Sequence, residues 1–118
     1  MEDLLLRGVH EFNRQFFFEA HDVWEELWNE TTGEHRVFYQ GLIQTAVAFY
    51  HLSNGNYKGA CSQFEKALTK LERYLPSSHG INVAALVLQV RACRNAAEEL
   101  RNRGGKFDTT LIPRIEFC

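Results

Sequence analysis

His21 and Glu25 are the residues of this chain whose types and spacing could do chemistry. They stand four apart, with Trp28 three further on, inside the aromatic stretch Phe16-Phe-Phe-Glu-Ala-His-Asp-Val-Trp-Glu-Glu-Leu-Trp28. On a helix, positions i, i+4 and i+7 share one face, so an imidazole, a carboxylate and an indole line up. Three chemistries fit. The plainest is a hydrogen-bonded pair, joined by Gln44 or Arg36, that fixes the packing of two helices without adding much stability. The second is a divalent metal ion held by His21 and Glu25. Two ligands do not hold a metal firmly: zincins use two His and a third group, and di-iron bundles repeat Glu-x-x-His pairs. The third ligand would fall to His51, His10 or a more distant acid, because Gln40 and Gln44 are poor ligands for transition metals. The third chemistry is a general base, with Glu25 setting the tautomer and basicity of His21 and Gln40 and Gln44 holding a substrate carbonyl. No nucleophile has a matching spacing, and Cys61 and Cys93 fall in other helical patterns as core residues.

The elements that position these residues are helical throughout. No stretch shows the strict alternation of a half-buried strand, and apolar residues recur at helical spacing almost everywhere. The pattern predicts a first helix over about residues 2–12 and a second over about 16–29, the latter with Ala20, Val23, Trp24, Leu27 and Trp28 inward. Asp22, Glu26 and Glu30 fall on its solvated side. Asn13 is the expected left-handed stop of the first helix. Thr31 and Glu34 read as a capping box for a third helix over residues 33–52, apolar nearly all round and therefore central. Its polar exceptions, Gln40, Gln44 and His51, lie on one stripe, beside Gly41, which would admit a neighbouring backbone. A fourth helix over residues 57–74 and a fifth over 83–102 follow, separated by the loop 76–82. Gln63, Glu65, Lys66, Lys70 and Glu72 belong to the wet side of the fourth. Gly104-Gly105 ends the fifth, and the tail, with Phe107, Leu111, Ile112 and Phe117, should lie back on the bundle.

Short connections make the second, third and fourth helices antiparallel neighbours. With the turn centred near Thr32, equal rise on both sides sets Glu25 opposite Gln40 and His21 opposite Gln44. The expected site is thus a polar seam of His21, Glu25, Gln40 and Gln44, with Trp28 and Arg36 at its turn end and His51 at its far end.

Composition bounds the rest. A chain of 118 residues, 45% hydrophobic, has the material for one all-α domain with a real core. A formal charge of −2 and a pI near 6.2 give no electrostatic case for nucleic acid or an anionic membrane. Three cysteines without a CxxC argue against a disulfide framework and for a reduced, cytoplasmic setting. The acidic start and its three-residue apolar run are neither a signal peptide nor a membrane span. Three successive Phe cannot all face inward, so Phe16 or Phe18 should be exposed or buried in a homodimer. The run Gly55-Asn-Tyr-x-x-Ala60-x-x-x-Phe64-x-x-Ala67-Leu68 is similar to half of a tetratricopeptide repeat. Its period does not recur, but it keeps open a non-catalytic helical-hairpin interaction module with a protein partner.

The combination of residues 18–28 with Arg36-Val-Phe-Tyr-Gln-Gly-Leu-Ile-Gln44, then Tyr50-His-Leu and Gly55-Asn-Tyr-Lys-Gly-Ala60, resembles the family catalogued as domain of unknown function 309, over roughly residues 5–75. The resemblance implies a small all-helical domain with a His-x-x-x-Glu-x-x-Trp/Tyr hallmark, here His21, Glu25 and Trp28, for which a metal-binding role has been suggested. It also implies a Gly between the first two helices, where this chain has Gln15. The resulting expectation is an uncharacterised cytoplasmic protein of about five helices that binds a divalent metal or a small polar ligand at the His21/Glu25 seam.

Overall fold

The computed structural model describes residues 3–118, so Glu2, which the pattern put in the first helix, lies outside the described residues. Five helices follow in order: α1 (Leu4–Asn13), α2 (Phe17–Glu30), α3 (His35–Ser53), α4 (Tyr57–Leu71) and α5 (Val83–Arg103). Short 3₁₀ turns at Glu72–Tyr74 and Thr109–Leu111 complete the regular structure, and the described residues hold two isolated β-bridges but no strand. Each helix packs on the next in the chain, and α3 lies between α2 and α4. The fold is therefore all-α with α3 central, as its nearly continuous apolar surface requires.

The core follows the helical periodicity. Val9, Phe12, Ala20, Trp24, Phe38, Leu42, Phe49, Phe64, Leu71, Leu86, Val90 and Cys93 are all buried. Gly8 sets the α1–α2 distance. A Cβ there would come 2.0 Å from Trp24 Nε1, so only glycine lets the indole lie on α1. The indole N–H then donates to the Leu5 carbonyl at 3.2 Å, which satisfies the polar tip of a fully buried ring.

Several turns differ from expectation. Asn13 is not the left-handed stop of α1. That role falls to Gln15 (φ 64), the position where the family resemblance implied glycine, so the turn keeps its left-handed geometry with a long side chain in place. Asn13 instead clamps the tail: its Nδ2 donates to the Ile115 carbonyl at 3.0 Å and its Oδ1 accepts from the Ile115 N–H at 2.7 Å. The capping box is absent as well. Thr31 Oγ1 donates backward to the Leu27 carbonyl at 2.7 Å, and Glu34, the N-cap of α3, makes no side-chain cap. A Thr hydroxyl at a helix end has this competing backbone acceptor within reach.

The tail does lie on the bundle. Its buried residues are Pro113 and Ile115, with Phe107 and Ile112 partly covered, whereas Leu111 and Phe117 remain about half exposed. Both Phe16 and Phe18 are exposed while Phe17 is buried, as three successive ring positions on a helix demand.

Candidate functional site

Helix α2 carries the site. Its inward residues Ala20, Val23 and Trp24 anchor it on α1 and α3, which leaves His21 on the shoulder, with its side chain 24% exposed. One turn on, Glu25 Oε2 lies 2.9 Å from His21 Nε2, the i, i+4 contact expected of helical geometry. Asp22, read from periodicity as solvated, also turns its Oδ1 to within 3.3 Å of Nδ1. Both ring nitrogens thus face carboxylates of the same helix. Glu25 and Asp22 are themselves more than half exposed, so the cluster is a surface network and not a buried ion pair.

Beyond the imidazole lies an apolar depression of about 200 Å³, lined by Phe18, His21, Val47, Tyr50 and His51. The Phe18 ring sits 5.8 Å from that of His21 and 5.6 Å from that of Tyr50. Phe18 and Tyr50 keep 49% and 39% of their surface in solvent. His51 is placed at this far end, as expected, and its Nδ1 lies 3.4 Å from Asn56 Nδ2. At the turn end of α2 the Arg36 guanidinium lies 3.8 Å above the Trp28 ring and its Nε donates to the Trp28 carbonyl at 3.3 Å. That pairing is a cation–π contact with one backbone tie.

Gln44 does not complete the seam. Gln44 Oε1 accepts from Lys70 Nζ of α4 at 3.0 Å, turning the amide away from α2. Its neighbour Gly41 explains this. A Cβ there would meet Leu71 Cδ2 at 3.0 Å and Lys70 Cβ at 3.3 Å, so the bare glycine brings α4 within reach of the stripe. Lys70, assigned to the wet side, is accordingly half-buried, and burial, with Lys66 and Arg73 nearby, holds its pKa below the ordinary lysine value. Gln40 is half-buried one turn before Gln44. The registry of equal rise therefore holds for Trp28 and Arg36 but fails for Gln44.

Among the described residues no group of three or more His, Cys, Asp and Glu is arranged to hold a metal ion. His10, one of the candidate third ligands, lines a separate hollow on α1 with Asp3, Leu6 and Arg7. Of the three thiols only that of Cys118 is exposed. Cys61 and Cys93 are buried, and burial raises both thiols, that of Cys93 to about 12. A thiol held protonated is a poor nucleophile. Both ring nitrogens of His21 face carboxylates, at 2.9 and 3.3 Å.

A second histidine cluster is not foreshadowed by spacing. His79, in the loop before α5, stacks flat on Phe38, with ring centroids 4.6 Å apart and planes 6° apart. Its Nε2 lies 2.8 Å from His35 Nδ1 at the start of α3, and its Nδ1 lies 2.6 Å from Ser78 Oγ. Tyr74 closes the group by donating to the Glu34 carbonyl at 3.0 Å. Burial, and then the proximity of His35, push the His79 pKa below the ordinary histidine value. The one sequence signal was a His-Gly pair in a turn-rich loop.

Comparison with known proteins adds a family and little chemistry. The model of the family described as Domain of unknown function (DUF309) matches residues 5–62. That range contains α1 from its second residue and all of α2 and α3, including His21, Glu25, Trp28 and Arg36, but stops short of residue 75, leaving most of α4 outside. An uncharacterized protein of Aquifex aeolicus (strain VF5) is 27% identical over 85 residues, which cover 71% of this chain and 26% of that protein. The chain thus spans about a quarter of the length of this relative. No helix among the described residues is long and apolar enough to cross a membrane.

Proposed function

We propose that this chain, which belongs to the DUF309 family by its residues 5–62, is a binding module whose site is the His21 end of the α2–α3 seam. One observation carries the reading: an exposed aromatic depression is flanked by a helix that bears charge of one sign. Helix α2 has Glu19, Asp22, Glu25, Glu26 and Glu30 but no Lys or Arg, while Phe18 and Tyr50 stand open beside it. A cation next to an apolar group is complementary to both halves, since it gains the carboxylates and the ring faces together. The depression, at about 200 Å³, is smaller than the cavities of about 300–1,000 Å³ that enclose whole ligands. It suits a single side chain, so the occupant is a partner's exposed segment presenting Arg or Lys beside a large apolar residue. The three unpaired cysteines support a cytoplasmic setting for this role.

The test is fluorescence anisotropy with a labelled peptide of alternating arginine and leucine, against the same peptide with glutamate for arginine. Saturable binding of the first alone, weakened severalfold by Glu25→Gln and lost in Phe18→Ala, is the expected result. Equal binding of both peptides, or of neither, overturns it. Zinc and manganese titrations run alongside: a melting temperature raised by metal in the wild type but not in Glu25→Gln would replace the peptide reading with the metal one. Self-association measured by light scattering, lost in Phe18→Ala, would replace it with a homodimer contact.

A further inference from the structure

We propose that a second hollow, between the α1–α2 turn, the end of α3 and the tail, binds a small amphipathic carboxylate. It shares no lining residue with the His21 depression and encloses about 380 Å³, within the range of about 300–1,000 Å³ typical of small-molecule sites. Its floor is Phe17, Phe49 and Leu52, all at least 95% buried, with the two rings stacked at 5.3 Å. Phe107 and Ile112 of the tail form the outer wall. This is the surface an aromatic or branched apolar body would cover.

The polar rim selects the sign of the ligand. Lys106 is the one charged residue lining the hollow, and no carboxylate lines it. The nearby Asp108 is engaged elsewhere: its Oδ1 accepts from both the N–H and the hydroxyl of Thr110, at 3.0 and 2.6 Å. Lys106 also lines another hollow on the α5 side, so the two hollows share this residue. The strap that carries it turns through Gly104 and Gly105, both at positive φ, and is fixed by the Tyr57 hydroxyl donating to the Gly105 carbonyl at 2.9 Å. Gln15, a non-glycine residue held in left-handed backbone, also lines the hollow and carries a neutral amide donor. Strained backbone of this kind clusters at ligand sites. An ammonium and an amide donor over an apolar floor fit a carboxylate group on an apolar body, and disfavour a cation.

Isothermal titration and saturation-transfer NMR of the full chain with phenylacetate and phenylacetamide test this directly. The acid is expected to bind about threefold or more tighter than the amide, the scale of one partly exposed ion pair. Lys106→Gln should remove that preference, and Lys106→Arg should keep it. Ser53→Trp, which places an indole at the mouth, should weaken both compounds. Lys106 and Ser53 are exposed, so the melting temperature should stay unchanged. Equal affinity for acid and amide in the wild type, or a preference that survives Lys106→Gln, overturns the proposal, as does failure of phenylacetate to saturate. Should Ser53→Trp not fold, the two Lys106 variants decide alone.

Discussion

His21 and His79 are both partly covered imidazoles with polar groups at both ring nitrogens, yet they are held in opposite ways. The partners of His21 are carboxylates one and four residues away on its own helix. Any helix formed by this sequence would bring them together, and water reaches all three groups. His79 is held by a hydroxyl next to it, an imidazole 44 residues away and the face of a fully buried Phe38. Only the finished fold assembles that set. Contacts within one helix and open to solvent add little to stability and leave polar atoms free to meet a partner. Contacts between distant segments, sealed by an aromatic face, hold the fold and leave little for a ligand.

The comparison can be broken at its strongest point first. Phe38→Ala removes the ring under His79 and opens a cavity beneath the first turn of α3, so denaturant unfolding should show a loss of about 3–5 kcal/mol. A loss under about 1 kcal/mol would mean that the loop closes over Phe38 without depending on it. His79→Ala should cost about 1–2 kcal/mol, since it strips the stack and leaves the His35 ring without its partner. Acid should act on the same residue. The folded-state pKa of His79 lies below its unfolded value of about 6.5, so the unfolded chain takes up this proton first. Its contribution is therefore fully present above that pH and is lost as pH falls towards the folded value. His79→Gln should flatten that part of the stability profile, and a profile unchanged by the substitution would contradict the cluster's role. Smallest is His21→Ala, at about 0.5 kcal/mol, because the carboxylates it abandons stay in water. A cost equal to that of His79→Ala would make the His21 cluster a structural latch after all.

The same contrast explains what was legible beforehand. Helix number, the buried faces and the placing of Trp28 and Arg36 at the turn end follow from apolar spacing and short turns, which are local signals. Gln44 was misplaced because periodicity names a stripe but not the neighbour that draws it, and that neighbour was set by the missing side chain of Gly41. Thr31 had two backbone uses open to it, and sequence could not rank them. Gly8 carried no visible signal, since its importance lies in an indole sixteen positions later. His79 and Ile115 depend on segments far apart in the chain, where spacing carries no information.

The clamp between Asn13 and Ile115 has a kinetic corollary. The Ile115 amide lies in an irregular segment, yet its hydrogen-bond acceptor is a side chain on α1. Its exchange with deuterated solvent therefore reports the detachment of two segments 102 positions apart, not local fraying. The neighbouring Glu116 carbonyl and Cys118 amide pair with Asn82 and Gly80. One strap thus couples the first helical corner to the loop that holds His79. Slow exchange at Ile115 in step with core amides would mark both corners as one cooperative unit.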